Sequence, residues 1–201
     1  MKPYPTIPKL PDYTTPILAF DKLDGSCIRV ELNKKGMYKF GSRTQLIDSS
    51  SPVFGKVLDM ARQFEDAAMA VLKNAKVDRA MLFFEFHGPK SFAGSHDPED
   101  DHVLTLFDAT LGTKGFLAPD EFLSRFEGFP TPSVLFRGKV TPEFEESVRD
   151  GSLPGMTFEG VVCKGPSKQP GRNLTFKIKN QAWIAALRKQ CQTEEEFERL
   201  A

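Results

Sequence analysis

Five short segments place lysine, arginine and carboxylate side chains at the ends of strand-like runs or in the adjacent turns. In order they are residues 22–26 (KLDGS), 41–44 (GSRT), 84–86 (FEF), 158–162 (FEGVV) and 176–179 (FKIK). Lysines and carboxylates that converge on one pocket suit phosphoryl transfer, because ammonium groups neutralise phosphate oxygens and carboxylates can serve a divalent metal. A lysine can also attack phosphorus, provided that neighbouring positive charge or desolvation lowers its pKa from the ordinary value of about 10.4.

Taken one at a time, these features have simpler explanations. The Asp-Gly pair at 24–25 is typical of a hairpin turn, and Glu85 suits a half-exposed carboxylate or an ion-pair partner in an apolar strand. The lysines at 177–179 alternate with apolar residues, as on a strand with one solvated face. Arg43 alone indicates a surface charge, and Phe107 alone a core residue. Only the ordered combination points to a site.

The periodicity of apolar residues predicts one α+β domain of mostly antiparallel sheets flanked by helices, covering residues 1–201. Prolines recur through residues 1–16, which predicts an extended lead-in. Strands are expected at 17–20, 26–32, 37–42, 81–86, 103–107, 134–136, 158–164 and 174–179. Helices are expected at 53–72, started by Ser51 and Pro52, at 119–126, 142–149 and 181–191, and after Thr193.

This order of elements predicts how the charged residues meet. Lys22 follows an apolar strand and precedes the Asp-Gly turn, so its side chain should project into a cleft. Lys177 and Lys179 share one strand face because alternate residues of a strand point the same way. Glu159 should face Lys22 from a neighbouring strand.

Composition narrows the functional classes. Lysine plus arginine equals aspartate plus glutamate, 27 each, which argues against tight nonspecific nucleic-acid binding by the whole surface but leaves room for a local basic groove. Three scattered cysteines do not suggest a disulfide framework or a zinc site. The N-terminal residues show no signal peptide and no run has the length of a membrane span, so a reducing cytoplasm is expected, in bacteria or encoded by a phage.

The ordered motifs resemble those of the covalent nucleotidyltransferase superfamily, which contains DNA ligases, RNA ligases and mRNA capping enzymes. Its nucleophile motif, Lys-x-Asp-Gly, is similar to residues 22–25. Its strand glutamate, its Glu-Gly-aliphatic-aliphatic strand and its Lys-x-Lys motif are similar to Glu85, residues 159–162 and residues 177–179, in the same order. The resemblance runs from about residue 20 to 180, most of the chain.

Within this superfamily the sequence is most similar to the RNA ligases. DNA ligases and capping enzymes usually carry arginine two residues after the motif glycine, where this chain has Cys27. Residues 106–108 (LFD) resemble an extra RNA-ligase motif whose aromatic ring packs on adenine. Only 22 residues follow Lys179, too few for the OB-fold that DNA ligases and capping enzymes carry there. The resemblance thus implies an ATP-grasp-like ligase nucleotidyltransferase domain without a C-terminal OB-fold.

The resemblance implies an ATP-dependent RNA ligase that forms lysyl-AMP and joins 5′-phosphate to 3′-hydroxyl ends of RNA, with DNA as a possible substrate. ATP and Mg²⁺ or Mn²⁺ would be the cofactors. The implied catalytic residues are Lys22, Asp24, Glu159, Lys177 and Lys179, of which Asp24 and Glu159 would direct the metal. The implied nucleotide-binding residues are Phe20, Asp21, Lys22, Gly25, Arg43, Glu85, Phe107, Lys177 and Lys179.

In this scheme Glu85 binds the ribose hydroxyls, Arg43 touches the ribose or the acceptor strand, and the Phe107 ring stacks on the base. A minimal DNA ligase is the alternative enzyme. A nucleotide-binding or nucleic-acid-end-binding module without turnover is the non-enzymatic alternative. The sequence does not indicate the oligomeric state.

Three further features have less specific explanations. The histidines at 87, 96 and 102 lie in or beside an acidic loop, where solvated polarity is a simpler interpretation than a metal site. Lys164, Lys168 and Arg172 form a predicted basic loop that would line the path of a nucleic-acid backbone or simply be solvated. Trp183, in the helix from 181, is expected to pack against the sheet.

Overall fold

The computed structural model describes residues 3–113, 115–169 and 171–201. Its strands in chain order are β1 Ile17–Asp21, β2 Ser26–Asn33, β3 Gly36–Gly41, β4 Arg79–His87, β5 Val103–Leu111, β6 Val134–Gly138, β7 Gly160–Pro166 and β8 Asn173–Lys179. Its α-helices are α1 Val57–Arg62, α2 Glu65–Ala75, α3 Pro119–Arg125, α4 Pro142–Arg149, α5 Gln181–Gln190 and α6 Glu194–Leu200. The expected α+β class is confirmed.

The chain forms two compact units from interleaved segments. The first comprises Met1–Pro5, Gly25–Thr131 and Ser167–Asn173, and the second comprises Thr6–Asp24, Pro132–Pro166 and Leu174–Ala201. Each unit has its own sheet and its own apolar core. That residues 1–201 act as a single domain stays a prediction.

The first unit contains a four-stranded sheet of order β3-β2-β4-β5, and its pairings are antiparallel. Alternate residues of its strands, such as Ile28, Leu82 and Leu106, enter a core against α1, α2 and α3. Full burial of each such side chain contributes about 1.5–3 kcal/mol. The other face of the same strands carries Glu85 and Phe107, because neighbouring strand residues point to opposite faces.

The second unit contains a four-stranded sheet of order β6-β1-β7-β8, in which β1 is antiparallel to β6 and β7. Ile17, Cys163 and Ile178 belong to its core, together with Phe144 and Val148 of α4. The alternate positions of β8, Lys177 and Lys179, therefore lie on the opposite face of the sheet.

The helix expected over residues 53–72 is the main error in the predicted elements. The chain forms a short 3-10 turn at Phe54–Lys56, then α1, and begins a new helix at Glu65. Val53 has a positive φ of 59°, and no side chain caps the 3-10 turn, so the predicted start at Ser51 is wrong. Apolar spacing continues across the break because both helices pack on the same core.

Helix capping was predicted correctly at the C-terminal end of the chain. The Thr193 hydroxyl accepts a 3.1 Å hydrogen bond from the backbone N–H of Glu196 and starts α6.

Across the described residues, no helix is both long enough and apolar enough to cross a membrane.

Candidate active site

Lys22, Glu159 and Lys179 form one connected cluster in the second unit. The Lys22 Nζ lies 2.8 Å from Glu159 Oε2, and the Lys179 Nζ lies 2.9 Å from Glu159 Oε1. One carboxylate thus contacts two ammonium groups through its two oxygens. The Lys22 side chain is 21% exposed, whereas the side chains of Glu159 and Lys179 are almost fully buried.

The strand order explains how these three side chains meet. Lys22 directly follows β1, Glu159 directly precedes β7, and Lys179 ends β8, and these three strands are neighbours in the sheet. The backbone N–H of Lys22 also donates a 2.9 Å bond to the Gly160 carbonyl. The predicted convergence from neighbouring strands is therefore observed, while the catalytic roles of these residues stay predictions.

Gly160 makes this approach possible. Its φ is +133°, a region that L-residues rarely adopt. A Cβ at this position would lie 2.2 Å from the Ile178 carbonyl oxygen and 2.8 Å from the Lys179 Cα. The glycine of the Glu-Gly motif thus lets the start of β7 lie against the end of β8, which brings Glu159 to Lys179.

The cluster shifts the pKa of its members. Burial raises the pKa of Glu159, but the charges of Lys22 and Lys179 outweigh burial, so the net shift is downward. Burial lowers the pKa of Lys179 to about 8, against the opposing effect of the Glu159 charge. Burial and the nearby Lys179 charge lower the pKa of Lys177 to about 8. Glu159 is thus held ionised, while the two strand lysines titrate close to neutral pH.

Asp24 belongs to the same cluster through Trp183. The Trp183 indole Nε1 donates a 2.5 Å hydrogen bond to Asp24 Oδ2. The Lys179 Nζ lies 3.6 Å from the centroid of the Trp183 ring, a close cation–π contact. Trp183 is buried, as expected from its helical position, but its polar contact was not predicted.

Lys177 and Lys179 also donate hydrogen bonds to backbone carbonyls at the end of α6. Lys177 Nζ lies 3.1 Å from the Ala201 carbonyl oxygen, and Lys179 Nζ lies 3.2 Å from that of Leu200. Each ammonium carries three N–H donors, so an acceptor of higher charge, such as a phosphate oxygen, can replace or join these carbonyls.

The residues present are compatible with a divalent cation. Magnesium commonly uses one or two carboxylates and takes its other ligands from water and substrate phosphates. Glu159 and Asp24 supply two carboxylates, both near enough to Lys179 to influence its pKa. Within the described part of the chain, no cluster of three or more His, Cys, Asp or Glu side chains is arranged to hold a metal. A metal at Asp24 and Glu159 would therefore need phosphate and water ligands.

Phe20 and Asp21, expected to bind the nucleotide, are buried at the end of β1. The Lys164 Nζ lies 5.5 Å from the centroid of the Phe20 ring. The Asp21 carboxylate accepts hydrogen bonds of 3.0 and 3.1 Å from the backbone N–H and hydroxyl of Thr157. These contacts hold the end of β1, directly before Lys22, in place. Nucleotide binding by Phe20 and Asp21 stays a prediction.

The first unit holds Gly25, Arg43 and Glu85. A Cβ on Gly25 would lie 2.3 Å from the Phe86 carbonyl oxygen, so only glycine fits beside β4. Arg43 is exposed in the turn after β3. Glu85 is half-buried on β4, in register with Cys27 of β2 and Thr105 of β5. The nucleotide contacts expected of these three residues stay predictions.

Phe107 lies at a bulge in β5. Phe83 pairs with Asp108 and Phe84 pairs with Leu106, which leaves Phe107 as the extra residue. It is half-buried, and its ring centroid lies 5.0 Å from that of Tyr4, at an interplanar angle of 80°. Phe107 is therefore partly accessible rather than a fully buried core residue.

The histidines are not free in solvent as the loop composition suggested. The His102 ring stacks on Phe86 at 4.3 Å, and His96 lies 2.8 Å from the Ser26 hydroxyl. His87 lies 2.8 Å from the Thr105 hydroxyl. The half-buried rings of His96 and His102 thus pack the loop against Phe86 of β4.

The predicted basic loop needs a correction. Lys164 is buried in β7 at 4% exposure, so it does not belong to the loop. Lys168 and Arg172 are exposed and remain candidates for phosphate contact. The strand pattern of residues 160–166 was the signal that should have excluded Lys164.

Comparisons with known proteins place this fold in the nucleotidyltransferase domains of ligases. The model of the RNA ligase family matches residues 15–179, most of the chain. This chain belongs to the RNA ligase family. A comparison with curated proteins gave no match.

Solved structures show the same fold. A Naegleria gruberi RNA ligase mutant solved with ATP and Mn is 18% identical, with a TM-score of 0.63 over 87% of this chain and 52% of that chain. Another mutant of that ligase, solved with AMP and Mn, is 20% identical, with a TM-score of 0.62 over 87% and 52%. A proposed ATP-dependent DNA ligase from Aquifex aeolicus is 19% identical, with a TM-score of 0.66 over 100% and 57%. The chain thus spans about half the length of these relatives.

Proposed function

We propose that this chain is the adenylation domain of an ATP-dependent RNA ligase and that Lys22 carries the AMP. The observation that carries the proposal is the contact of Lys22 with Glu159, whose second oxygen contacts Lys179. Family membership supports ligase chemistry, and the solved relatives with ATP or AMP and Mn support these ligands.

In the proposed first step, the Lys22 Nζ attacks the α-phosphorus of ATP. The Lys22 ammonium first loses one proton to solvent, because only the neutral amine attacks. A nitrogen–phosphorus bond then forms, the bond from the α-phosphorus to pyrophosphate breaks, and the second proton leaves the nitrogen for solvent or for the departing pyrophosphate. Lys177 and Lys179 lie on the same strand face and would neutralise phosphate oxygens during this step. Mg²⁺ or Mn²⁺ held through Asp24 and Glu159 would supply further neutralisation of phosphate charge.

The contact of Lys22 with Glu159 bears on the first step of the reaction. The Glu159 carboxylate stabilises the ammonium form of Lys22, which cannot attack. Glu159 must therefore release Lys22 before the reaction. Lys179 lies 2.9 Å from the other oxygen of Glu159 and would still balance its charge.

In the later steps, AMP would pass from Lys22 to the 5′-phosphate of an RNA end. The 3′-hydroxyl of the other end would then attack that phosphate, forming a phosphodiester bond and releasing AMP. Glu85, Arg43 and Phe107 would bind the ribose and base, as the family resemblance implies.

The proposal is tested by incubation with α-labelled ATP and Mg²⁺, followed by denaturing electrophoresis. A labelled protein band that acid removes is expected, because a phosphoramidate is acid-labile. Lys22→Ala should abolish the band, and Lys22→Arg should too because guanidinium stays protonated. Lys35→Ala, in an exposed turn, is the matched control and should label normally. Label retained by Lys22→Ala, or mapped to another lysine, would overturn the assignment.

A DNA ligase is the second candidate, favoured by the likeness to the proposed Aquifex aeolicus DNA ligase, which covers all of this chain. Nicked duplexes with either RNA or DNA on the 3′-hydroxyl side separate the two. An RNA ligase should seal the RNA-ended nick faster. Equal or faster sealing of the DNA-ended nick would favour the second candidate.

A further inference from the structure

Tyr4 is anchored in an aromatic cluster of the first unit, although the sequence predicted only an extended lead-in around it. Its ring meets three phenylalanines edge-on, with centroids 5.0 Å from Phe83, 5.0 Å from Phe107 and 5.4 Å from Phe116. Edge-to-face contact is a preferred geometry of aromatic pairs, so the three contacts orient the ring.

The Tyr4 hydroxyl fixes the bulge in β5. It donates a 2.7 Å hydrogen bond to Asp108 Oδ2, while Asp108 Oδ1 accepts a 2.9 Å bond from the Ala109 backbone N–H. Asp108 is 3% exposed. These bonds lie at the bulge, where the ladder between β4 and β5 is locally irregular. Tyr4 thus contacts the ring of Phe107 and the side chain of the residue after it.

We propose that Tyr4 is a positioning residue for nucleobase binding, which holds the β5 bulge so that Phe107 presents its ring to the base of ATP. The inference rests on the proposed function, because it needs ATP as the ligand. Tyr4 acts through Phe107 and Asp108 and does not itself touch the reacting atoms. The prolines at 3 and 5 restrict the backbone on both sides of Tyr4, which reduces the entropy lost when the segment is anchored.

The electrostatics of the pair agree with this role. Burial and the Asp108 charge raise the pKa of Tyr4 well above its usual value, so the hydroxyl remains a donor across the working pH range. Tyr38 offers a contrast in the same unit. Its hydroxyl donates a 2.8 Å bond to Glu31, but the residue is 55% exposed and lies away from this cluster.

The experiment compares Tyr4→Phe, Tyr4→Leu and the matched control Tyr38→Phe. Equilibrium dissociation constants are measured for labelled ATP and for inorganic triphosphate, which has the phosphates but no base. All three substitutions are placed in a Lys22→Ala background so that no covalent adduct forms, and thermal unfolding is recorded for each variant.

Tyr4→Phe should weaken ATP binding about fivefold, because a hydrogen bond to a charged group is lost. Tyr4→Leu should weaken it further, since the ring contacts to Phe107 are also removed. Inorganic triphosphate should bind all variants equally, and Tyr38→Phe should match the parent. Equal weakening for ATP and triphosphate, or no change in either, would overturn the role of Tyr4.

The two proposals fail in different ways. Wild-type protein that binds ATP without forming lysyl-AMP would refute the proposed function, while the dissociation constants would still decide the role of Tyr4. Lysyl-AMP formation by wild type, together with unchanged ATP binding in Tyr4→Phe and Tyr4→Leu, would refute only the role of Tyr4. A parent that binds no ATP would refute both.

Discussion

The indole N–H of Trp183 donates a 2.5 Å hydrogen bond to the carboxylate of Asp24, although 159 positions separate the two residues. Trp183 lies in the first turn of α5, directly after the Lys-x-Lys strand, and Asp24 belongs to the Lys-x-Asp-Gly segment. The bond links the two motifs at one carboxylate oxygen and leaves the orientation of Asp24 dependent on a residue outside both.

Trp183→Phe should impair metal-dependent lysyl-AMP formation more than it impairs folding. Phenylalanine keeps most of the buried ring but removes the N–H, so Asp24 loses a partner that orients it. We expect the rate of lysyl-AMP formation to fall about tenfold at limiting Mg²⁺. The half-saturating Mg²⁺ concentration should rise. A metal titration with labelled ATP measures both. An unchanged metal dependence would show that the hydrogen bond is only structural.

The lowered pKa values of Lys177 and Lys179 predict an unusual pH dependence. Both lie at about 8, so the two side chains lose positive charge as pH rises from 7 to 9 rather than near the usual 10.5. Phosphate binding needs that charge, and the KM for ATP should rise by up to about tenfold for each lysine over this interval.

Lys177→Arg provides the control for this prediction, because guanidinium stays charged across the whole interval. Its KM should rise less steeply with pH than that of wild type. A wild-type KM that is flat to pH 10 would contradict the lowered pKa values. The same shifts make unfolding harder as pH rises from about 8 to 10.5, since the unfolded lysines bind more protons there than the folded ones.

The exposed loop residues Lys168 and Arg172 should contribute to RNA affinity. Replacing both with alanine should weaken binding of single-stranded RNA and reduce the slope of log K against log salt by about 1.4. Lysyl-AMP formation should survive. Binding measured at four or five salt concentrations gives the slope, and Lys34→Ala with Lys35→Ala is a control of equal charge change. Equal slopes for the two double variants would exclude a specific contact by the loop.

Much of the fold follows from local patterns in the sequence. The strands at residues 26–33 and 173–179 show alternating apolar residues, and Thr193 supplies the predicted helix cap. The break between α1 and α2 was not predictable from periodicity, because residues on both sides keep their apolar spacing toward one core.

The sequence indicated which residues belong to the candidate site, but it did not indicate which of them contact each other. Spacing indicates that Glu159, Lys177 and Lys179 lie on adjacent strands, but it does not show which carboxylate oxygen meets which lysine. Tyr4 and Trp183 were missed as polar partners because their acceptors lie far away in sequence, 104 and 159 positions respectively. Such bonds depend on tertiary packing, for which a single sequence offers no periodic signal.

The main-chain oxygens at the end of α6 compete with ATP for the N–H donors of Lys177 and Lys179. Lys177 and Lys179 donate to main-chain oxygens of Ala201 and Leu200, so both lysines already have acceptors before any phosphate arrives. Docking of this helix end and binding of phosphate to the same N–H groups are then linked equilibria. The measured free energy of ATP binding is therefore a net quantity. It equals the free energy of the contacts between the two ammonium groups and phosphate, less the free energy of the helix-end contacts that are lost.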